Sequence, residues 1–281
     1  MREISVDEIQ RTVRDLIIEA CCVIGEDVMA ALRRAEEAEE SPLGRHVLHQ
    51  LIENHELAAR ERIPVCQDTG MAVVFLDVGQ DVHVVGGDLR EAVDRGVAQA
   101  YVEGYLRKSV VRDPLFDRTN TGDNAPAVIF CDIVPGDRLG ISVCPKGFGS
   151  ENKSAVRMLT PAQGARGVVQ FVSETVIDAG PDPCPPIVVG VGVGGTMEKA
   201  AIMAKRALLR PLGRPHDDPR WAALEEEILE RIDASGVGPA GMGGRSTALA
   251  VHVERSATHI AGLPVAVNVC CHALRHATAT L

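Results

Sequence analysis

Ile187-Val188-Val189-Gly190-Val191-Gly192-Val193-Gly194-Gly195-Thr196 reads as an apolar strand that runs into a glycine-rich turn, and a helix over Met197 to Leu209 follows it. A strand handed directly to a helix is the repeating unit of an α/β fold. Gly190-x-Gly192-x-x-Gly195 imitates a dinucleotide fingerprint, but most of its glycines fall inside the apolar run. No acidic strand end follows about 20 residues on, as that fingerprint requires. Close backbone packing explains these glycines better than NAD binding.

Working outward, the same alternation continues in both directions. A helix is predicted over Pro161 to Ala179, an amphipathic helix over Pro219 to Ala234, and strands over Thr247 to Glu254 and Leu263 to Val269. The Glu225-Glu226-Glu227 run reads as a solvated face, and Gly236 to Gly244 as a loop. Towards the N-terminus, Ser5-x-x-Glu8 is a capping-box pattern before Ile9, Val13, Leu16, Ile17 and Ala20 at helical spacing. A helix over Glu26 to Glu40 is expected to end in acidic, solvated residues. Ser41-Pro42 opens another, which stops at Ile63-Pro64 because a residue before proline avoids the α region. Strands at Ala72–Val78, Ala127–Val134 and Arg138–Cys144 and a helix at Asp88–Gly104 complete the pattern, with the turn Pro135-Gly136-Asp137 between the last two strands. The expected class is therefore α/β. No linker or repeat interrupts the chain, so residues 1–281 are expected to form a single domain.

Composition narrows the function. Aromatics make up only 3% of 281 residues and glycines number 27, so the core is built from Val, Ile, Leu and Ala. A net charge of −10 with few aromatics excludes nucleic-acid and anionic-membrane binding through the overall field. An anionic substrate would need local Arg, Lys or backbone N–H groups. The first residues do not read as a signal peptide and no apolar run reaches transmembrane length, so a cytoplasmic protein is expected.

The eight cysteines are then thiols or ligands. Cys21 and Cys22 read as helix-packing residues, and Cys131 and Cys144 as core thiols within strands. His46, His49 and His55 share one helix without i, i+4 pairing and read as surface or packing residues. Three sites differ. Pro64-Val65-Cys66-Gln67-Asp68-Thr69-Gly70 puts a soft metal ligand beside an amide, a carboxylate and a hydroxyl. Pro181-Asp182-Pro183-Cys184-Pro185-Pro186 holds a thiol in a rigid, irregular segment. Cys270-Cys271-His272-Ala273-Leu274-Arg275 follows the last strand. Three thiolates are one short of a fully ligated [4Fe–4S] cluster, and the open iron is a Lewis acid able to assist loss of hydroxide from a hydroxy acid. Zinc held by Cys₃ and a His is the rival chemistry. Two further loops are candidate anion cradles: Thr119 to Pro126, otherwise a run of self-bonded turns, and Pro145 to Lys153, at a strand end before a helix.

Cys66-Gln67-Asp68-Thr69-Gly70, Leu106-Arg107-Lys108-Ser109, Asn120-Thr121-Gly122-Asp123-Asn124, Lys146 to Lys153, the Gly190–Thr196 turn and Thr258-His259 occur in the order found in the iron–sulfur class I fumarases and the related L-tartrate dehydratases, and the chain resembles that family over nearly its whole length. The resemblance implies mixed β-sheets surrounded by helices in an iron–sulfur hydro-lyase alpha-type domain. It implies a [4Fe–4S] cluster on Cys66, Cys184 and Cys271, with Cys270 as a neighbour. It matches Gln67, Asp68, Arg107, Gly149 and His259 to substrate-contacting positions, with Asp68 and His259 as proton-transfer or orienting candidates. Single-chain members are about twice this length, so the resemblance also implies a separate beta subunit completing the site, in an α₂β₂ assembly. The leading expectation is reversible hydration of fumarate to L-malate. L-tartrate dehydration is the alternative, and a non-catalytic cluster-binding scaffold subunit is a further one.

Overall fold

A computed structural model describes residues 1–281. In chain order the elements are β1 (Arg2–Ser5), α1 (Val6–Cys22), α2 (Glu26–Ala38), α3 (Pro42–Glu61), β2 (Met71–Gly79), β3 (Val82–Val85), α4 (Leu89–Glu103), β4 (Val128–Val134), β5 (Leu139–Lys146), α5 (Phe148–Glu151), β6 (Ala155–Leu159), α6 (Gly164–Ala179), β7 (Ile187–Gly194), α7 (Met197–Ala207), α8 (Pro219–Asp233), β8 (Ala248–Ser256), β9 (Leu263–Cys270) and β10 (Ala277–Thr280). The strands form a β1-β3 pair and two four-stranded sheets, ordered β10-β5-β2-β4 and β6-β9-β7-β8. Both larger sheets mix parallel and antiparallel pairing, so the chain has the mixed α/β class expected of it. No helix is long and apolar enough to cross a membrane. The chain divides into two compact units. One comprises Met1–Ile24, His55–Phe148 and Arg275–Leu281, and the other Gly25–Asn54 and Gly149–Leu274.

In the first unit α1 starts where the Ser5 hydroxyl accepts the Glu8 N–H at 3.2 Å, as the capping pattern foretells. Ile9, Val13 and Ile17 of α1 meet Val93, Val97 and Ala100 of α4 over Val74 and Leu76 of β2 and Ile141 of β5. Gly96 lets the two helices touch, since a Cβ there would lie 2.6 Å from the Gln10 carbonyl. β4 and β5 flank the Pro135–Asp137 turn but are not neighbours, because β2 lies between them. The connection crosses the end of β2 and is fastened there. Gly79 N–H donates to Arg138 O at 2.8 Å, Gln80 N–H to Val134 O at 2.8 Å and Asp81 N–H to Gly136 O at 2.9 Å. Gly79 has no room for a side chain, with Gly136 O 2.6 Å from where its Cβ would be.

In the second unit β7 is buried along its whole length. Val189, Val191 and Val193 point into a core with Val168 and Val172 of α6 and Ile228 and Ile232 of α8. Gly190 and Gly192 point the other way. A Cβ on either would sit 2.0 Å from a carbonyl of α7, Ala204 O or Ala200 O. These glycines seat a helix directly on a strand, which is the packing reading of the motif.

Two acidic stretches differ from expectation. Glu225 is buried rather than solvated. It pairs with Arg210 and accepts N–H from Val253 at 2.7 Å and His216 at 3.0 Å, while Glu226 and Glu227 stay exposed. Helix α2 ends at Ala38, and Glu39 is also buried. A solitary charge in a core is costly, so each carboxylate is surrounded by donors.

Burial also sets the acid response. It holds His55 and His252 down to about 4; for His252 the Arg210 charge adds to this and a bond to Ala207 O opposes it. Unfolded imidazoles bind a proton near 6.5, so each histidine costs stability as pH falls from 6.5 to 4, up to about 3 kcal/mol. Burial instead pushes Asp233 up to about 6, against N–H bonds from Thr247 and Ala248. Its proton stays on in the folded chain between pH 6 and 4, where the unfolded carboxyl has begun to lose it, so this group favours folding as pH falls. Two histidines outweigh one aspartate, and the melting temperature is expected to drop between pH 6.5 and 4. Asp233→Asn keeps an acceptor for both N–H groups. It should melt higher than the parent at pH 8 and lose that advantage with acid; superimposable melting-temperature profiles would contradict this account.

Candidate functional site

The Cys66 loop is fixed by its neighbours in the first unit rather than by its own regular structure. Thr69 is buried and its hydroxyl donates to Arg107 O at 2.9 Å. The buried Tyr101 hydroxyl lies 2.7 Å from Thr69 O and 3.1 Å from Gly70 O. Asn124, fully buried at φ +63°, donates to Gly70 O at 3.0 Å and accepts N–H from Ser109 at 2.6 Å and Val110 at 3.0 Å. Gly70, at φ +74°, lies against the Lys146 backbone, where a Cβ would come within 2.6 Å. The buried Arg275 guanidinium donates to Asp68 O.

This scaffold presents Cys66, Gln67 and Arg107 together, all exposed, around a pocket of about 320 Å³ also lined by Pro64, Thr69 and Tyr105. Asp68 faces differently. Its two carboxylate oxygens accept N–H from Gly70 and Phe148, each at 2.8 Å. Bonds of this kind hold the carboxylate still, which suits orienting a loop better than trading protons. The sequence singled out Cys66, Gln67, Asp68 and Arg107, but not Tyr101 or the fastening role of Arg275. No local pattern marks a helical tyrosine or a C-terminal arginine as the support of a loop elsewhere.

The Thr119–Pro126 run forms the turns expected of it. Asn120 Oδ1 accepts Gly122 N–H at 2.8 Å, and Asp123 Oδ1 accepts Ala125 N–H at 3.0 Å. The Pro145–Lys153 loop is a weaker anion cradle than its sequence suggests. Lys146 is buried, Lys153 pairs with Asp182 at 2.5 Å, and α5 has only four residues.

The other predicted residues lie in the second unit. Cys184 is exposed in its proline loop at φ +57°, a backbone region that few side chains tolerate. Its N–H donates to Pro181 O at 3.0 Å, and Ala240 N–H donates to Pro185 O at 2.8 Å. Gly149 has open space: a Cβ there would meet nothing nearer than Asp182 O at 3.8 Å. Cys270 ends β9 and is buried, whereas Cys271 lies just outside the strand and is partly accessible. His259 is exposed beside a cleft of about 660 Å³ whose lining includes Trp221, Arg255 and Thr258. Its Nδ1 accepts the Ala261 N–H at 3.1 Å, which places the proton of the neutral ring on Nε2.

The eight thiols sort into two groups. Cys21, Cys22, Cys144 and Cys270 are buried, and burial pushes the Cys21 thiol up to about 12 and raises Cys22. Cys131 is exposed, contrary to its expected core position, because β4 is an edge strand; burial still raises its thiol. Cys66, Cys184 and Cys271 lie outside helices and strands and are accessible to different degrees. Accessible thiols are the usual protein ligands of iron–sulfur clusters.

Residues 10–280 match the family model described as fumarate hydratase (Fumerase). A Methanocaldococcus jannaschii protein named "Putative L(+)-tartrate dehydratase subunit alpha" is 41% identical over 274 residues, covering 96% of each chain. Proteins named "L(+)-tartrate dehydratase subunit alpha" are similar too. That of Escherichia coli strain UTI89 is 36% identical and that of strain K12 35%, each over 90% of this chain and 84% of the relative.

Proposed function

Because the chain belongs to the fumarate hydratase (Fumerase) family, we propose that it is the alpha subunit of an L(+)-tartrate dehydratase that works with a separate beta subunit. The observation that carries this reading is the similarity, over nearly the full chain, to relatives bearing that subunit name. It displaces fumarate hydration, the leading expectation from the motifs, to second place. Fumarate hydration keeps the support of the family description, and its product malate differs from tartrate by one hydroxyl. A cytoplasmic α₂β₂ assembly, with residues 1–281 acting as one domain, belongs to the same proposal.

Cys66, Cys184 and Cys271 would hold a [4Fe–4S] cluster, which when bound supplies a Lewis-acidic iron towards a hydroxyl and a carboxylate. The chain's own residues do the rest. Arg107 offers a planar pair of donors to a substrate carboxylate. Gln67, on the same pocket as Cys66, offers an amide to a hydroxyl or carboxylate. Gly149 lets an oxygen approach the backbone closely. His259 presents Nε2–H for proton transfer, and Asp68 holds the Cys66 loop in register.

The test is an anaerobic preparation of the chain with its beta subunit, reconstituted with iron and sulfide and assayed on L(+)-tartrate, L-malate and fumarate. A site that hydrogen-bonds the second hydroxyl discriminates by roughly 10⁴ in kcat/KM, so tartrate should be strongly preferred. Faster turnover of malate or fumarate would favour hydration of fumarate. Cluster absorbance without turnover of any of the three would favour the scaffold.

A further inference from the structure

Glu151 closes the short α5 turn, two residues after Gly149, and its carboxylate is shared between two partners. Oε1 accepts from the Lys205 ammonium of α7 at 2.5 Å, and Oε2 accepts from the Asn268 amide of β9 at 3.0 Å. The same amide nitrogen donates to Ser154 Oγ at 3.1 Å, and that hydroxyl also accepts the Val269 N–H at 3.2 Å. Ser154 N–H in turn donates to Glu151 O at 3.0 Å. The turn and the end of β9 are thereby closed into one ring of hydrogen bonds.

Such a ring is a poor choice for stability alone. The Lys205 and Glu151 side chains are 13% and 26% exposed, and Asn268 only 5%. Apolar side chains of similar size often serve stability as well as a sheltered ion pair does. Asn268 Oδ1 is buried without a hydrogen-bond partner, which is a further cost. The amide cannot turn over to relieve it, because its oxygen would then face the Glu151 carboxylate. Polar groups kept in a core at a loss to stability point to a geometric duty.

The place of the ring says which duty. On one side it holds the turn that carries Gly149, and Lys153 of that turn pairs at 2.5 Å with Asp182, two residues before Cys184. On the other side it grips Asn268 and Val269, three and two residues before Cys271, which lies just outside β9.

We infer that Glu151, held by Lys205, is a positioning residue. Through Asn268 and Ser154 it sets the Gly149 turn in register with the end of β9 that Cys271 follows. The inference rests on the proposed cluster ligation by Cys271. Glu151 touches neither substrate nor iron in this role.

The test uses the full chain, both apo and after anaerobic reconstitution with iron and sulfide. Groups standing behind metal ligands change metal affinity by roughly 10–100-fold when replaced. Glu151→Gln and Ser154→Ala should therefore each lose their visible absorbance to excess EDTA at least about 10 times faster than the parent. Lys205→Met should do the same, whereas Lys205→Arg, which keeps the charge, should lose it at the parental rate. In the apo chain, amide hydrogen exchange over residues 268–272 should quicken in Glu151→Gln and Ser154→Ala. Ile228→Val is the control for stability. It thins the core on the other face of the sheet and should lower the melting temperature, yet leave absorbance loss and exchange over 268–272 as in the parent. Parental behaviour of both Glu151→Gln and Ser154→Ala overturns the inference. So does equally fast loss in Lys205→Arg and Lys205→Met, or in Ile228→Val. A parent that takes up no cluster removes the cluster reading. Faster exchange over 268–272 in the variants would then still uphold the register, and unchanged exchange would overturn both.

Discussion

Cys66→Ser, Cys184→Ser and Cys271→Ser are each expected to abolish the broad visible absorbance of the anaerobically reconstituted protein and all detectable dehydratase activity. The apo forms should melt like the parent. Serine retains the size of cysteine but is a poor ligand for iron. Cys66 is exposed, and the hydrogen bonds that fix its loop belong to Asp68, Thr69 and Gly70, so the fold survives its replacement. Surface substitutions of this kind usually shift stability by no more than about 0.5 kcal/mol. Cys131 is the discriminating control, being exposed but in a strand. Cys131→Ser should keep both absorbance and rate. Intact absorbance in any of the three loop variants would remove that cysteine from the ligand set, and loss in Cys131→Ser would add a ligand.

Glu39→Ala is expected to cost about 3–5 kcal/mol of unfolding free energy, the range for breaking a buried charged network. Burial alone would raise this carboxyl, but N–H groups of Ser41, Arg245, Ser246 and Glu40 hold it below its usual value. Those bonds are 2.9–3.2 Å long and join the start of α3 to the loop before β8. Gly44 and Gly244 leave room for the side chain, since a Cβ on Gly244 would come within 2.9 Å of it. Alanine would strand four backbone donors. Because the folded pKa is depressed, this contribution is present above the unfolded carboxyl range and is lost as pH falls through the folded value. Denaturant titration at neutral pH and at about pH 3.5 should therefore show a large gap between parent and variant that narrows in acid. A gap under about 1 kcal/mol at neutral pH would show that water replaces the carboxylate at little cost.

Glu39 also shows where sequence reading stops. Locally it belongs to an acidic helix end, and its partner Arg245 is 206 residues away. Glu225 is the same case, a member of a glutamate run that turns inward to Arg210 and Val253. What was legible rests on local pattern. The β7–α7 unit followed from its apolar run and glycines, α1 from its cap and spacing, and the Cys66 loop from residue types that suit neither core nor surface. β1, β3, β6 and β10 have only four or five residues and become strands through their partners, so no window of sequence marks them. Tyr101 and Asn124 are similar: each is an ordinary residue until folding brings the Thr69 and Gly70 carbonyls within reach.

The position of Arg275 along the chain has a consequence for biosynthesis. It and β10 belong to the first unit, yet they follow every residue of the second. During translation at roughly 5–20 residues per second, α1, β2, α4 and β5 leave the ribosome well before the strand that completes their sheet. The Cys66 loop must therefore wait for Arg275 to reach Asp68 O, while the intervening 126 residues of Gly149–Leu274 are made. A nascent chain stalled before that point carries the loop but lacks its clasp, which ties maturation of the loop to completion of Gly149–Leu274.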